Sequence, residues 1–115
     1  MFRKYTRDGR LLFERHVEGI ELDDYIASLP TNWPTRSIAD REIPLVPPAV
    51  RAAAVDPRGH LWISLSQGYT YVYDTNGDKV RIVQFDAAGT VNPTSFFFTS
   101  DGRLLVTPGG YEFDP

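Results

Sequence analysis

The sequence predicts an all-β fold that one short helix interrupts, and a recurring phrase is the main reason. Residues 55–63 (VDPRGHLWI) return as residues 98–106 (FTSDGRLLV), so that Gly59 and Gly102 lie 43 residues apart. This spacing is typical of propeller blades that contain four strands. Nine glycines and nine prolines supply the turns that such a chain needs. We therefore predict an incomplete β-propeller of about two four-stranded antiparallel blades, with a short helical insertion.

A second phrase divides the chain into segments. Residues 73–80 (YDTNGDKV) match residues 5–11 (YTRDGRL), but Gly9 and Gly77 lie 68 residues apart, which is one repeat plus about 25 inserted residues. The predicted segments are a terminal hairpin at 1–19 (third and fourth strands of a blade), a helical and Pro-rich insertion at 20–49, a complete four-stranded blade at 50–88, and a partial blade at 89–115 that lacks its outer strand.

The terminal hairpin and the insertion differ in their periodicity. Residues 3–17 alternate apolar and polar positions around the turn Arg7-Asp8-Gly9, because Asp and Gly tolerate the positive φ of a tight connection. In the insertion, apolar residues recur at helical spacing, and Pro30 ends the stripe since proline disfavours helix before it. The stripe consists of Leu22, Tyr25, Ile26 and Leu29. Residues 33–34 and 43–48 are predicted to be extended, irregular chain.

Seven strands are predicted after the insertion, with turns at Gly59, Gly68, Gly77, Gly102 and Gly109. The complete blade contains Arg51–Val55, His60–Leu65, Tyr69–Tyr73 and Lys79–Phe85. The partial blade contains Ser95–Thr99, Arg103–Thr107 and Tyr111–Phe113, and it stops where the turn to a fourth strand should begin.

Both faces of the predicted strands carry apolar side chains. Leu61, Ile63 and Leu65 lie on one face and Trp62 on the other, while Val72 opposes a ladder of Tyr69, Tyr71 and Tyr73. A sheet with apolar groups on both faces suits a blade between two neighbouring blades. A small two-layer antiparallel sandwich is the alternative.

Composition excludes some classes of partner and site. A net charge of −3 argues against a nucleic-acid partner, although five of the first fifteen residues are basic. The absence of cysteine excludes disulfides and thiol catalysis. No apolar run is long enough for a signal peptide or a membrane-spanning helix, so no membrane partner is predicted and the compartment stays open.

Residues 55–64 and 71–77 carry a family resemblance. With VDPRGHLWIS followed by YVYDTNG, the chain resembles the six-bladed propellers of the NHL-repeat type, and more distantly the gluconolactonase and strictosidine-synthase-like rings. The resemblance covers residues 50–115 and part of 3–17. It implies a ring that serves as a binding platform, a sensor, a hydrolase or a lyase. The hydrolytic members hold a divalent metal through several blades, and no such ligand set can be matched here.

Candidate site residues are few. Arg51, Gln67 and Tyr69 lie at strand ends that could reach a channel mouth, and Trp33 lies in the insertion. No catalytic residue, metal ligand or cofactor site is predicted. His60 is interpreted as a surface imidazole, and residues 74–85 lack the glycine and glutamate that an EF-hand requires. The tyrosine ladder is interpreted as interblade packing, with stacking on sugars or peptides as the alternative.

Three functional hypotheses follow. The first is a binding or scaffold module that belongs to a larger six-bladed ring and has a protein or carbohydrate ligand. The alternative is a metal-dependent enzyme of the lactonase or lyase type, completed by other blades. The third hypothesis concerns assembly, and it takes the remaining blades either from a longer chain or from further copies of this one. Three copies of the 13.0 kDa chain would weigh about 39 kDa.

Overall fold

The computed structural model describes the chain except residues 31, 33, 45–48 and 88, with backbone alone at residues 87 and 89–91. The described residues form short antiparallel sheets and one helix, which confirms the predicted all-β class. The elements in chain order are β1 (Phe2–Tyr5), β2 (Leu11–Arg15), α1 (Ile20–Ser28), β3 (Thr35–Ile38), β4 (Arg41–Pro44), β5 (Val50–Val55), β6 (Leu61–Leu65), β7 (Thr70–Tyr73), β8 (Lys79–Val83), β9 (Phe85–Ala87), β10 (Gly89–Val91), β11 (Ser95–Phe98), β12 (Leu104–Thr107) and β13 (Tyr111–Phe113).

The central blade is a four-stranded antiparallel sheet in the order β5-β6-β7-β8, as predicted. The last sheet has the order β11-β12-β13 and no fourth strand among the described residues. The first strands of these two sheets, β5 and β11, lie against each other. This arrangement is propeller-like, because successive blades of a propeller approach most closely at their first strands.

One five-residue turn recurs at the same end of each hairpin. It joins β1 to β2, β5 to β6, β7 to β8 and β11 to β12. In each turn the first residue donates its N–H to the carbonyl of the fifth at 2.8–2.9 Å, and the fourth is a glycine with φ between 84° and 88°. A side-chain oxygen of the first residue accepts the N–H of the fifth at 2.9–3.0 Å. The first residues are Thr6, Asp56, Asp74 and Thr99, so the two repeated phrases encode one turn geometry.

The central blade buries both faces of its two middle strands, β6 and β7, as the sequence predicted, while β5 and β8 stay largely exposed. Its first face packs under β1, β2 and α1, and its second face packs against the last sheet. Buried residues of the first-face cluster are Leu22, Ile63, Leu65, Tyr71 and Tyr73. Buried residues of the second-face cluster are Trp62, Val72, Phe85, Leu104 and Val106, with Phe96 and Phe98 packed against them. The central sheet is therefore the middle of three layers, which excludes the two-layer alternative.

The β1–β2 hairpin lies over the outer half of the first face. The Phe2 ring is 4.8 Å from the Tyr73 ring at the end of β7. Lys4 Nζ donates to the Thr75 carbonyl at 2.9 Å, and an Arg15 nitrogen donates to the Asn76 carbonyl at 3.3 Å. The start of β1 thus lies over the end of β7, and both strands of the hairpin bond to the turn between β7 and β8. The helix α1 covers the rest of the face's centre through Leu22, its one buried residue.

Two hairpins differ from the sequence-based prediction. Residues 35–44, for which the sequence predicted no strand, form the β3–β4 hairpin, all of whose residues are exposed. Its turn residues Ala39 and Asp40 both have positive φ, a geometry usually marked by Asn-Gly or Asp-Gly. Phe85, predicted to end the fourth strand, instead begins β9, which pairs with β10. The Phe85 side chain is buried in the second-face cluster, and this burial favours the separate strand.

Candidate functional site

Three of the four predicted site residues lie at one end of the central blade. This end, here called the Arg51 end, is where β5 and β7 begin and where β6 and β8 finish. Val50 pairs with Leu65 and Ser64 pairs with Thr70, which brings the start of β5 beside the turn that contains Gln67 and Gly68. Trp33, the fourth predicted residue, lies outside the described residues.

Arg51 lies in a β-bulge. The pairing of β5 with β6 passes from Val50–Leu65 to Ala52–Ser64, so Arg51 has no opposite residue on β6. A bulge re-aims the side chain of the extra residue and often occurs beside binding sites. The Arg51 side chain is exposed. Its guanidinium makes no hydrogen bond or ion pair with the described residues, so it is available to an anionic group.

Gln67 carries an unsatisfied carboxamide. Both Oε1 and Nε2 are buried, and neither has a hydrogen-bond partner in the described part of the chain. The turn repeats the five-residue geometry: Leu65 N–H donates to the Tyr69 carbonyl at 2.8 Å, and Gly68 has φ of 86°. Leu65 has no side-chain oxygen at the first position, unlike the four turns at the opposite end. This turn therefore lacks the side-chain hydrogen bond that stabilises each of the other four turns.

Hydroxyl groups line the same end, and sequence reasoning did not select them. Ser64 Oγ donates to the Pro93 carbonyl at 3.0 Å, and the Ser95 and Thr107 hydroxyls are 2.6 Å apart. Thr70 Oγ1 is fully buried and unpartnered within the described ranges. Ser64 and Thr107 each directly follow one copy of the repeated phrase, and that equivalence was the signal that could have identified them.

The tyrosine ladder is used mainly for packing. Tyr71 and Tyr73 are buried, Tyr73 against the β1–β2 hairpin and Tyr71 against α1 of the insertion instead of another blade, and Tyr69 is half-buried. Tyr71 OH donates to Glu21 Oε2 at 2.6 Å. Burial, and then this bond, raises the pKa of Tyr71, and the same bond lowers the pKa of Glu21. Tyr69 is thus the ladder member that remains available at the Arg51 end.

The opposite end of the blade contains a polar cluster around Asp56. Asp56 accepts the N–H groups of Arg58 and His60 at Oδ1 and the Trp62 indole N–H at Oδ2, at 2.9, 2.9 and 3.1 Å. Burial raises the pKa of Asp56, but the bonds from Trp62, His60 and Arg58 lower it more, and the net shift is downward. His60 Nδ1 is 4.0 Å from Asp56 Oδ2. These contacts hold the turn and the indole in place.

The described residues offer neither a metal-binding cluster nor a membrane-spanning helix. They contain no group of three or more His, Cys, Asp or Glu side chains that could hold a metal ion. The helix found there is too short and too polar to cross a membrane.

Comparison with known proteins assigns neither a family nor a function to this chain. The chain matches no protein-family model, no curated protein and no solved structure. The described residues form an all-β, propeller-like fold with a polar end at Arg51.

Proposed function

We propose that this chain is a segment of a six-bladed propeller of the NHL-repeat type and acts as a binding module for a protein partner. The Arg51 end is the binding surface. The observation that carries the proposal is the exposed Arg51, which a β-bulge displaces beside the Gln67-Gly68 turn. Binding residues of proteins are concentrated on loops that a rigid scaffold positions, and here the scaffold is the doubly covered central blade.

The chemistry of this end favours a peptide segment that carries a carboxylate. A guanidinium binds carboxylates through two parallel N–H donors. The Gln67 carboxamide offers one donor and one acceptor, which match the edge of a peptide group. A buried polar group left unpaired costs about 1–3 kcal/mol, so a small movement of the turn that brings Gln67 to a peptide is favourable. Tyr69 adds a half-buried aromatic surface beside it.

Selection from a peptide library displayed on phage tests this function. We expect enriched peptides to share an Asp, a Glu or a free C-terminal carboxylate. Because a hydrogen bond to a charged group contributes about 1.5–3 kcal/mol, Arg51→Ala should weaken the best peptide about tenfold or more. Gln67→Ala should also weaken it. The matched control is Arg58→Ala, which removes another exposed arginine at the opposite end of the same blade.

Two outcomes would contradict the proposal: no peptide is enriched, or Arg51→Ala and Arg58→Ala bind the selected peptide equally.

The insertion should be tested separately as a contact arm by replacing only the β3–β4 hairpin. Deletion of all of residues 20–48 would remove Leu22, which is 7% exposed and covers the first face. Loss of binding would then report unfolding instead of a lost contact.

A further inference from the structure

We propose that a groove beside β1 is the docking site for a two-stranded β-hairpin whose outer strand pairs with the free edge of β1. The groove is called the β1 groove below, and its lining includes the apolar residues Phe2, Phe13, Val55 and Leu61 and the charged residues Arg3, Lys4 and Asp74. The inference rests on the proposed function, because the hairpin would belong to the ring of which this chain is a segment. Beyond the proposed function, the inference states how many strands this partner has, which strand of it pairs with β1 and which side chains it carries.

The first face of β5 is uncovered. Val50 is 42% exposed and Val55 is 60% exposed, and Ala53 between them is also exposed. On the other face of the same strand, Ala52 and Ala54 are half-buried beside β11. Among the described residues, one side of β5 therefore has a neighbouring strand and the other side lacks one.

The β1 groove connects this strip to β1. It is a cavity of about 270 Å³ between the hairpin and the end of the central blade where β5 finishes. Within the described chain, β1 pairs only with β2, so the edge of β1 that faces the groove has no partner strand. An open strand edge next to an apolar groove binds an extended segment by strand addition, in which backbone bonds give affinity and side-chain pockets give specificity.

The position of β1 limits the partner to two strands. β1 lies over the end of β7, and α1 covers Ile63 and Leu65 of β6, so the free area of the first face lies over β5 and over the Leu61 end of β6. A three-stranded sheet such as β11–β13 of a second copy would place its third strand where β1 already lies. This geometry favours a separate hairpin over a second copy of the chain.

The internal repeat supplies the chemistry of the partner. Tyr5 at the end of β1 corresponds to Tyr73 at the end of β7, and the turns that follow them share one geometry. β7 pairs with β6, and β6 pairs with β5, so the partner should resemble the β5–β6 hairpin. Its inner strand would carry small residues like Ala54, and its outer strand an aromatic residue like Trp62, both on the face that meets the groove.

A synthetic peptide with the sequence of residues 50–65, the chain's own β5–β6 hairpin, is the probe. Hydrogen exchange is measured on the full chain with and without this peptide. We expect slower exchange of the amides in Phe2–Tyr5 and Val50–Val55, by about tenfold at saturation. A control peptide that carries Trp62→Ser should give much weaker protection, since the apolar contact with the groove is lost.

Two matched variants separate this site from other surfaces. Val55→Glu places a charge in the strip and should weaken peptide binding about tenfold or more. Val80→Glu changes a valine of β8 that is 48% exposed and should leave binding unchanged. Both positions are exposed, so both variants should fold. Unslowed β1 amides, or equal binding by the two variants, would overturn the proposal. Arg51→Ala should bind the probe normally, so failure here is distinguishable from failure of the Arg51 end.

Discussion

Asp56 joins the turn after β5 to the packing of the second face. It accepts two backbone N–H groups and the indole N–H of Trp62, whose side chain is 1% exposed. Asp74 occupies the equivalent position of the turn after β7 and accepts two backbone N–H groups without an aromatic partner. A comparison of Asp56 with Asp74 therefore separates what the turn contributes to stability from what the buried indole contributes.

We predict that Asp56→Ala lowers the free energy of unfolding more than Asp74→Ala does. Loss of a turn-capping oxygen costs about 1 kcal/mol, and an unpaired buried donor adds about 1–3 kcal/mol. Asp56→Ala should thus cost about 2–4 kcal/mol and Asp74→Ala about 1 kcal/mol. Urea denaturation measures both values. Equal losses would mean that the Trp62 bond contributes nothing to stability.

The lowered pKa of Asp56 predicts an acid-sensitive contribution to stability. In the folded chain its pKa lies below the ordinary value of 3.8. A carboxyl whose pKa is depressed by folding stabilises the fold above its ordinary pKa, and this stabilisation is lost as pH falls through the folded pKa. Below pH 3.8 the melting temperature of the wild type should therefore fall more steeply than that of Asp56→Asn. Parallel curves for the two proteins would contradict the assignment.

Among the elements, the five-residue turns were the most predictable part of the fold. Their glycines have positive φ, so the sequence phrases that contain them reveal both the turn and its flanking strands. The β3–β4 hairpin was missed because Ala39 and Asp40 replace the usual glycine. The start of β9 was missed because a continuous apolar run through Phe85 does not mark where one strand ends.

The candidate site was only partly predictable for a different reason. Arg51, Gln67 and Tyr69 were found from their places at strand ends. The bulge that displaces Arg51 depends on the register of β5 against β6, and no local sequence pattern records that register. The burial of the Gln67 carboxamide and of the Thr70 hydroxyl likewise depends on tertiary packing.

Two glycines with φ angles of 84° (Gly77) and 87° (Gly102) allow the strain of a turn to be separated from its packing. A Cβ at Gly102 would meet nothing within 4 Å, whereas one at Gly77 would lie 2.7 Å from the Phe13 ring. Gly102→Ala should cost about 1–2 kcal/mol, the strain of a left-handed alanine. Gly77→Ala should cost about 3 kcal/mol, because the β1–β2 hairpin must also shift. Thermal unfolding compares the two, and equal costs would show that this hairpin moves freely.

At the scale of the whole molecule, both outer layers leave apolar surface exposed. On the last sheet Phe97 is 63% exposed and pairs with Leu105, which is 38% exposed. The repeated phrase aligns Leu105 with Trp62, the residue that packs against the following sheet in the central blade. The outer face of the last sheet therefore has the position of a blade surface that meets a further blade.

We predict that this face drives self-association of the isolated chain, since exposed apolar patches promote non-specific contacts. Phe97→Lys should reduce the concentration-dependent increase in light scattering, and Ile38→Lys, a change at another exposed apolar residue in the β3–β4 hairpin, should have a smaller effect. Equal scattering by the two variants would place the association surface elsewhere.

The full exposure of the β3–β4 hairpin has a practical consequence in a chain without cysteine. A Ser37→Cys substitution would introduce a single thiol on a side chain that packs against nothing in the fold's interior. A nitroxide or a fluorophore attached there would report the tumbling of this arm by spectroscopy. Capture of a ligand by the arm would slow that tumbling, while the three packed layers beneath would keep their native signals.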